Sequence, residues 1–95
     1  MRRAAKIDGN HAEIVRVLLK AGATVLSLAH IGHGVPDILV GFRKRNILME
    51  IKDSSQSPSK RRLTADQKLF HAIWGGQLAI VESAEEALQL LAGNK

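Results

Sequence analysis

Two short apolar runs, Ile38-Leu39-Val40-Gly41-Phe42 and Ile47-Leu48-Met49-Glu50-Ile51, constrain this chain more than any other feature. Each reads as a strand, and the polar link Arg43-Lys44-Arg45-Asn46 is short enough to join them as a hairpin. With Lys44 and Arg45 as a two-residue turn, Arg43 faces Asn46, Leu39 faces Glu50 and Asp37 faces Lys52. Side chains alternate across a strand. Ile38, Val40, Phe42, Ile47, Met49 and Ile51 therefore make one wholly apolar face. Asp37, Glu50 and Lys52 gather on the other, with the carboxylates on a diagonal of about 7–8 Å. A one-residue slip would exchange the two faces, so the pattern is selective about register.

The segments on either side supply the layers. Asn10 to Ala21 has Ile14, Val17 and Leu18 at helical spacing, with Gly22 as a stop. Thr24 to Leu28 is a β-prone run, followed by a loop holding His30, Gly32, His33, Gly34 and Pro36. Asp53 to Ser59 is polar and serine-rich, and reads as a mobile loop. Thr64 caps a second long helix carrying Leu69, Phe70, Ile73 and Trp74, which Gly75 and Gly76 end. Leu78 to Val81 reads as a short buried strand, and Ser83 with Glu86 forms a capping box that opens a last helix through Leu91. The order is α-β-β-β-α-β-α. The strand at 47–52, the helix after it and the strand at 78–81 form one crossover unit, expected to be parallel.

Ninety-five residues make a single domain, 1–95, with no room for a second core. Such a chain buries only about 60–65% of its unfolded surface, so a partner subunit would help it. Cysteine is absent, which excludes disulfides and thiolate metal sites. No run approaches the ~20 apolar residues of a membrane span. Met1-Arg2-Arg3 is basic, but Lys6, Asp8 and Asn10 follow where a signal peptide needs an apolar stretch. These features predict a soluble, intracellular protein. Net charge is +5, and the basic residues cluster as Arg2-Arg3, Arg43-Lys44-Arg45 and Lys60-Arg61-Arg62. Clusters of this kind are an electrostatic footprint for a polyanion, although any one of them reads equally well as solvated surface.

Glu50 needs a reason to stand between Met49 and Ile51 in an apolar run. Pro36-Asp37 followed by Glu50-Ile51-Lys52 suits metal-dependent phosphodiester hydrolysis. Anionic oxygens hold a divalent cation at roughly 2.0–2.6 Å, and a lysine beside them can hold hydroxide or neutralise the transition state. Glu13 is a candidate third carboxylate, but Asn10-x-x-Glu13 also has capping-box spacing. Gln67 poses the same choice, because Thr64-x-x-Gln67 is a capping box whose helix N-terminus suits phosphate. Asp53 could offset Lys52 or contact a metal-bound water, against a plain loop role. His30 and His33 are favoured as loop or DNA-contact residues over zinc ligands, since no third His and no Cys joins them. His11 and His71 read as ordinary helix residues, and Trp74 as core beside Phe70.

Together these residues resemble the PD-(D/E)xK nuclease superfamily, and within it the virus-type replication-repair nuclease (VRR-NUC) family. The resemblance runs through a helix with an acidic residue, Gly34-Val35-Pro36-Asp37, Glu50-Ile51-Lys52, and Leu63-Thr64-x-x-Gln67 opening the next helix. It implies an α/β (α+β), restriction-endonuclease-like αβββαβ core with a mixed central sheet flanked by helices. It implies Mg²⁺- or Mn²⁺-dependent DNA hydrolysis and no small-molecule cofactor. Asp37, Glu50 and the backbone carbonyl of Ile51 would hold metal, with Lys52 as the catalytic lysine. The resemblance raises Glu13 above its capping role and gives Gln67 a part in shaping the site. Lys60, Arg61 and Arg62 would lie where such nucleases meet the DNA backbone. Members of this size, often phage-encoded, are similar to Holliday-junction resolvases and act as homodimers, which implies a bacterial or phage-infected cytoplasm.

Three readings follow. The first is a structure-selective endonuclease acting as a two-fold dimer, because resolving a four-way junction takes two symmetric cuts. Leu26, Leu28 and Ile31 are candidates for its interface. The second keeps the fold and moves the substrate to flaps, nicks or unspecific DNA. The third is a small basic DNA-binding protein without catalysis, which accounts for the charge but not for Glu50 beside Lys52.

Overall fold

In the computed structural model, residues 9–93 are described, so the Arg2-Arg3 cluster, Lys6 and Asp8 lie outside the described residues. The elements are α1 (His11–Lys20), β1 (Thr24–Ser27), β2 (Ile38–Phe42), β3 (Arg45–Ile51), α2 (Pro58–Arg61), α3 (Ala65–Ile73), β4 (Gln77–Val81) and α4 (Ala84–Ala92). The four strands form one mixed sheet in the order β1-β2-β3-β4, antiparallel except for the parallel β3–β4 pair. The expected order of long elements is present. The short helix α2 begins inside the segment expected as a mobile loop, at a proline suited to a first helical position, and runs two residues past it.

The hairpin register differs from expectation by two residues. Phe42 pairs with Arg45 and Ile38 with Met49, so the turn residues are Arg43 and Lys44. Both have positive φ, 50° and 67°, the backbone of a two-residue turn that follows strand twist. Arg45 belongs to the strand because its guanidinium is engaged elsewhere, donating to the carbonyls of Leu90 and Leu91 in the last turn of α4. A shift of two preserves every face. Continued one step past Ile38–Met49, the register sets Asp37 directly opposite Glu50 rather than on a diagonal.

The apolar face is the core. Ile38, Val40, Ile47, Met49 and Ile51 pack with Ile14 and Leu18 of α1 and with Ala87 and Leu91 of α4, and Phe42 lies against this cluster. Each fully buried Ile, Leu or Val contributes about 1.5–3 kcal/mol. Gly22 ends α1 with φ 101°, and the Ala23 N–H reaches back to the Leu18 carbonyl. Asn10 does not cap α1 through its side chain. Its amide donates instead to the carbonyls of Lys52 and Glu82, tying together the chain just beyond β3 and β4.

Two expectations fail on the other face. Trp74 is 46% exposed rather than core, stacked on Phe70, and Leu69 and Ile73 are more exposed still. β4 is an edge strand, with Ile80 also 46% exposed, rather than a buried one. The cause is the orientation of α3, which turns Gln67 and His71 toward Glu50 on β3. Its apolar stripe is left facing outward. No helix among the described residues is long and apolar enough to cross a membrane.

The Arg45 anchor gives a direct test of the register. Arg45→Ala should lower stability by about 1.5–3 kcal/mol, the value of hydrogen bonds to a charged group. Lys44→Ala, at the exposed turn, should stay within about 0.5 kcal/mol of wild type. Urea unfolding midpoints separate the two.

Candidate active site

Glu50 is 2% exposed and Lys52 8%, the two buried charged residues of the described chain. Their side chains approach to 3.9 Å between Lys52 Nζ and Glu50 Oε2. Gln67 joins them. Its Nε2 donates to Glu50 Oε2 at 3.0 Å, and its Oε1 accepts from Lys52 Nζ at 3.0 Å. Oε1 also accepts from the Thr64 backbone N–H at 2.9 Å, while Thr64 Oγ1 accepts from the Gln67 N–H. Capping and site roles are therefore not alternatives for Gln67. The residue does both.

Asp37 sits at the entrance to β2, where its Oδ2 accepts the Ile51 N–H at 2.7 Å. That bond ties its carboxylate to the strand between Glu50 and Lys52. Asp37, Glu50, Ile51, Lys52 and Gln67 line one open cleft of about 440 Å³, with His33 and Lys60 also on its wall. The loop before Asp37 closes against α3 through Gly34. With φ 82°, Gly34 adopts a backbone that side chains disfavour, and a Cβ there would run into the Asp66 carbonyl. The glycine lets the start of α3 approach the hairpin, which brings Gln67 within reach of Glu50.

The remaining candidates are scattered. Glu13 is exposed on α1, forms no capping box and does not line the cleft. His30 is exposed and away from the cleft wall. Asp53 accepts from the Ser55 hydroxyl and backbone N–H, which hold its carboxyl below the usual value, so it serves its own turn. Lys60 stands at the cleft, Arg62 is exposed, and Arg61 is engaged with Glu82 at 3.5 Å and with the Gln56 carbonyl. Arg43 lies over the Phe42 ring, and Arg45 is bound to α4 as described, so it is an anchor and not a free DNA contact. At about 3.3 Å per residue, the strand from Arg45 to Lys52 separates the basic turn from the cleft by on the order of 23 Å.

His71, expected to be an ordinary helix residue, is brought to the site. It stands one helical turn after Gln67, and its Nε2 lies 3.9 Å from Glu50 Oε1. Burial first, and the Lys52 charge second, push its pKa below the ordinary histidine value. The i, i+4 spacing from Gln67 was the available signal.

Among the described residues no three His, Cys, Asp or Glu side chains gather as a metal group. Asp37 and Glu50 offer two carboxylates on adjacent strands, with the Ile51 carbonyl between Glu50 and Lys52 as a further oxygen. This all-oxygen, two-carboxylate set suits a hard cation that keeps several of its waters, and it does not suit zinc.

The double role of Gln67 can be dissected. Thr64→Ala removes only the cap and should cost about 1 kcal/mol. Gln67→Met keeps the volume but leaves both Lys52 and Glu50 short of a partner, and should cost about 2–4 kcal/mol. Equal losses in chemical denaturation would mean that the bonds to the buried pair contribute little.

Comparison with protein-family models, curated proteins and solved structures finds no match to this chain, so its functional assignment rests on the residues of the cleft.

Proposed function

We propose that the chain is a metal-dependent DNA endonuclease with a restriction-endonuclease-like core, as its resemblance to the VRR-NUC family implies. The single observation that carries this reading is the buried Glu50–Lys52–Gln67 cluster, with Asp37 alongside, on the wall of an open cleft. A small domain gains no stability from burying a glutamate and a lysine where apolar residues would fit, so the pair points to chemistry.

Asp37, Glu50 and the Ile51 carbonyl would hold Mg²⁺ or Mn²⁺. When bound, such an ion supplies Lewis-acid polarisation of the phosphate and lowers the pKa of water. Lys52 is held by Gln67 Oε1 so that its ammonium faces the cleft chemistry as a fixed positive charge, able to stabilise the charge that develops as water attacks phosphorus. Asp37 keeps its place through the Ile51 N–H. Lys60 and His33 on the cleft wall, and the exposed Arg62 two residues along from Lys60, are the groups suited to backbone phosphates. Arg43 and Lys44 would add contacts only to a substrate spanning on the order of 23 Å along the hairpin. Glu13 has no part in this scheme.

The substrate proposed is branched DNA, a four-way junction above all, cut by a homodimer. Two-fold symmetry of the protein matches that of the junction. The exposed apolar groups Leu69, Ile73 and Trp74 on α3 and its C-cap, Ile80 on β4, Leu26 on β1 and Ile31 in the loop after it are surface a monomer of this size gains by covering. Leu28, the third interface candidate, is half-buried.

A labelled four-way junction should be cut symmetrically with Mg²⁺ and left intact without it. Glu50→Gln should bind DNA yet lose nearly all cleavage, and Lys52→Ala should lose roughly 10²–10⁴-fold. Cleavage that survives Lys52→Ala in folded protein contradicts the assigned role, and cutting confined to flaps or nicks moves the substrate while keeping the fold. DNA binding without cleavage in any divalent metal leaves a non-catalytic DNA-binding protein.

Light scattering at micromolar concentration should return about twice the 10.3 kDa chain mass. Ile73→Glu should return the monomer if the α3 side is the interface, and Leu26→Glu if the β1 side is. A monomer that still makes both symmetric cuts excludes the dimer mechanism.

A further inference from the structure

Helix α3 meets Glu50 with two residues, not one. Gln67 and His71 are a turn apart on the same face of the helix, and they address opposite oxygens of the one carboxylate. Gln67 Nε2 donates to Oε2 at 3.0 Å, and His71 Nε2 lies 3.9 Å from Oε1. The His71 side chain is 16% exposed and that of Glu50 3%, so the approach is made largely out of water. His71 Nε2 is enclosed and makes no hydrogen bond among the described residues.

At 3.9 Å the approach is about 1 Å longer than a formed hydrogen bond. Bonds of this kind in active sites are commonly long in the free protein and tighten when the site is loaded. The chemistry also decides which atom carries the proton. An Nε2 lone pair facing a carboxylate oxygen is repulsive, whereas an Nε2–H facing it is attractive, so the contact favours the Nε2–H tautomer.

We propose that His71 is a positioning residue for Glu50, donating Nε2–H to Oε1 while Gln67 donates to Oε2, so that α3 fixes the plane of the carboxylate presented to the cleft. The inference rests on the proposed metal role of Glu50 for its consequence, but not for the contact itself. A carboxylate gripped from one helix keeps its orientation when a cation draws on it, and partners of this sort are typically worth 10–100-fold in metal affinity.

Two measurements test this. Ring ¹⁵N shifts of the metal-free wild type should report the Nε2–H tautomer for His71 and should move in Glu50→Gln. An Nδ1–H tautomer overturns the proposal. Calorimetry with Mn²⁺ should show about 10–100-fold weaker binding in His71→Leu, with affinity largely restored in His71→Gln, which keeps an N–H donor. Where His71→Leu does not fold, His71→Asn, too short to reach Oε1, takes its place. Wild-type Mn²⁺ affinity in a folded variant with no donor that reaches Oε1 overturns the proposal. Failure of the wild type itself to bind Mn²⁺ removes the metal reading instead, and the tautomer then decides the His71–Glu50 contact alone.

Discussion

A carboxylate in the middle of an apolar strand is costly to bury, by several kcal/mol if it stays charged, and the architecture on one side of the sheet follows from how Glu50 is compensated. Lys52 lies two residues along the same strand and faces the same side. Gln67 bonds both, and His71 approaches the remaining oxygen. To deliver these groups α3 must lie with its polar face toward β3. Its apolar residues are then left outside, and Leu69, Ile73 and Trp74 are exposed for that reason and not for want of hydrophobicity. Gly34 belongs to the same arrangement, because only a residue without a side chain lets the Val35-Pro36-Asp37 loop meet the start of α3 so closely.

The opposite face of the sheet is ordinary in its physics. Aliphatic side chains from β2, β3, α1 and α4 close over one another, and the sheet ends are tied by polar groups acting as structural pins. Asn10 joins the ends of β3 and β4, and Arg45 holds the end of α4. Residues that look like surface charge or a cap in the sequence are in these two cases long-range anchors, so a count of basic residues overstates what is left to meet a polyanion. Among the described residues of the Lys60-Arg61-Arg62 cluster, Lys60 lines the cleft, Arg61 is paired with Glu82 and Arg62 is exposed.

The division between a stabilising face and a charged face also separates what a mutation can reach. Changes among Ile38, Val40 and Met49 act through packing, because these side chains are buried in the core cluster and none of them lines the cleft. Changes at Asp37, Glu50, Lys52 and Gln67 act through polar bonds that span β2, β3 and α3, so each alters its partners as well as itself. The coupling is tightest at Gln67, whose one amide serves the helix start and both buried charges.

The alternation of apolar and charged residues through 37–52 determined the hairpin, its two faces and the grouping of Asp37, Glu50 and Lys52, because side-chain direction in a strand has a period of two. That period is why a register two residues away from expectation left the grouping intact. Thr64-x-x-Gln67 determined a helix start, since the cap is a local bond. What the sequence could not decide was where each long polar side chain ends. Glu13 stays in solvent, Asn10 and Arg45 reach backbone carbonyls across the fold, and His71 arrives at Glu50 only because α3 is rotated to serve that carboxylate. Local bonds and strand periodicity are written within a few residues, whereas the compensation of a buried charge is settled among elements far apart in the chain, after they have packed.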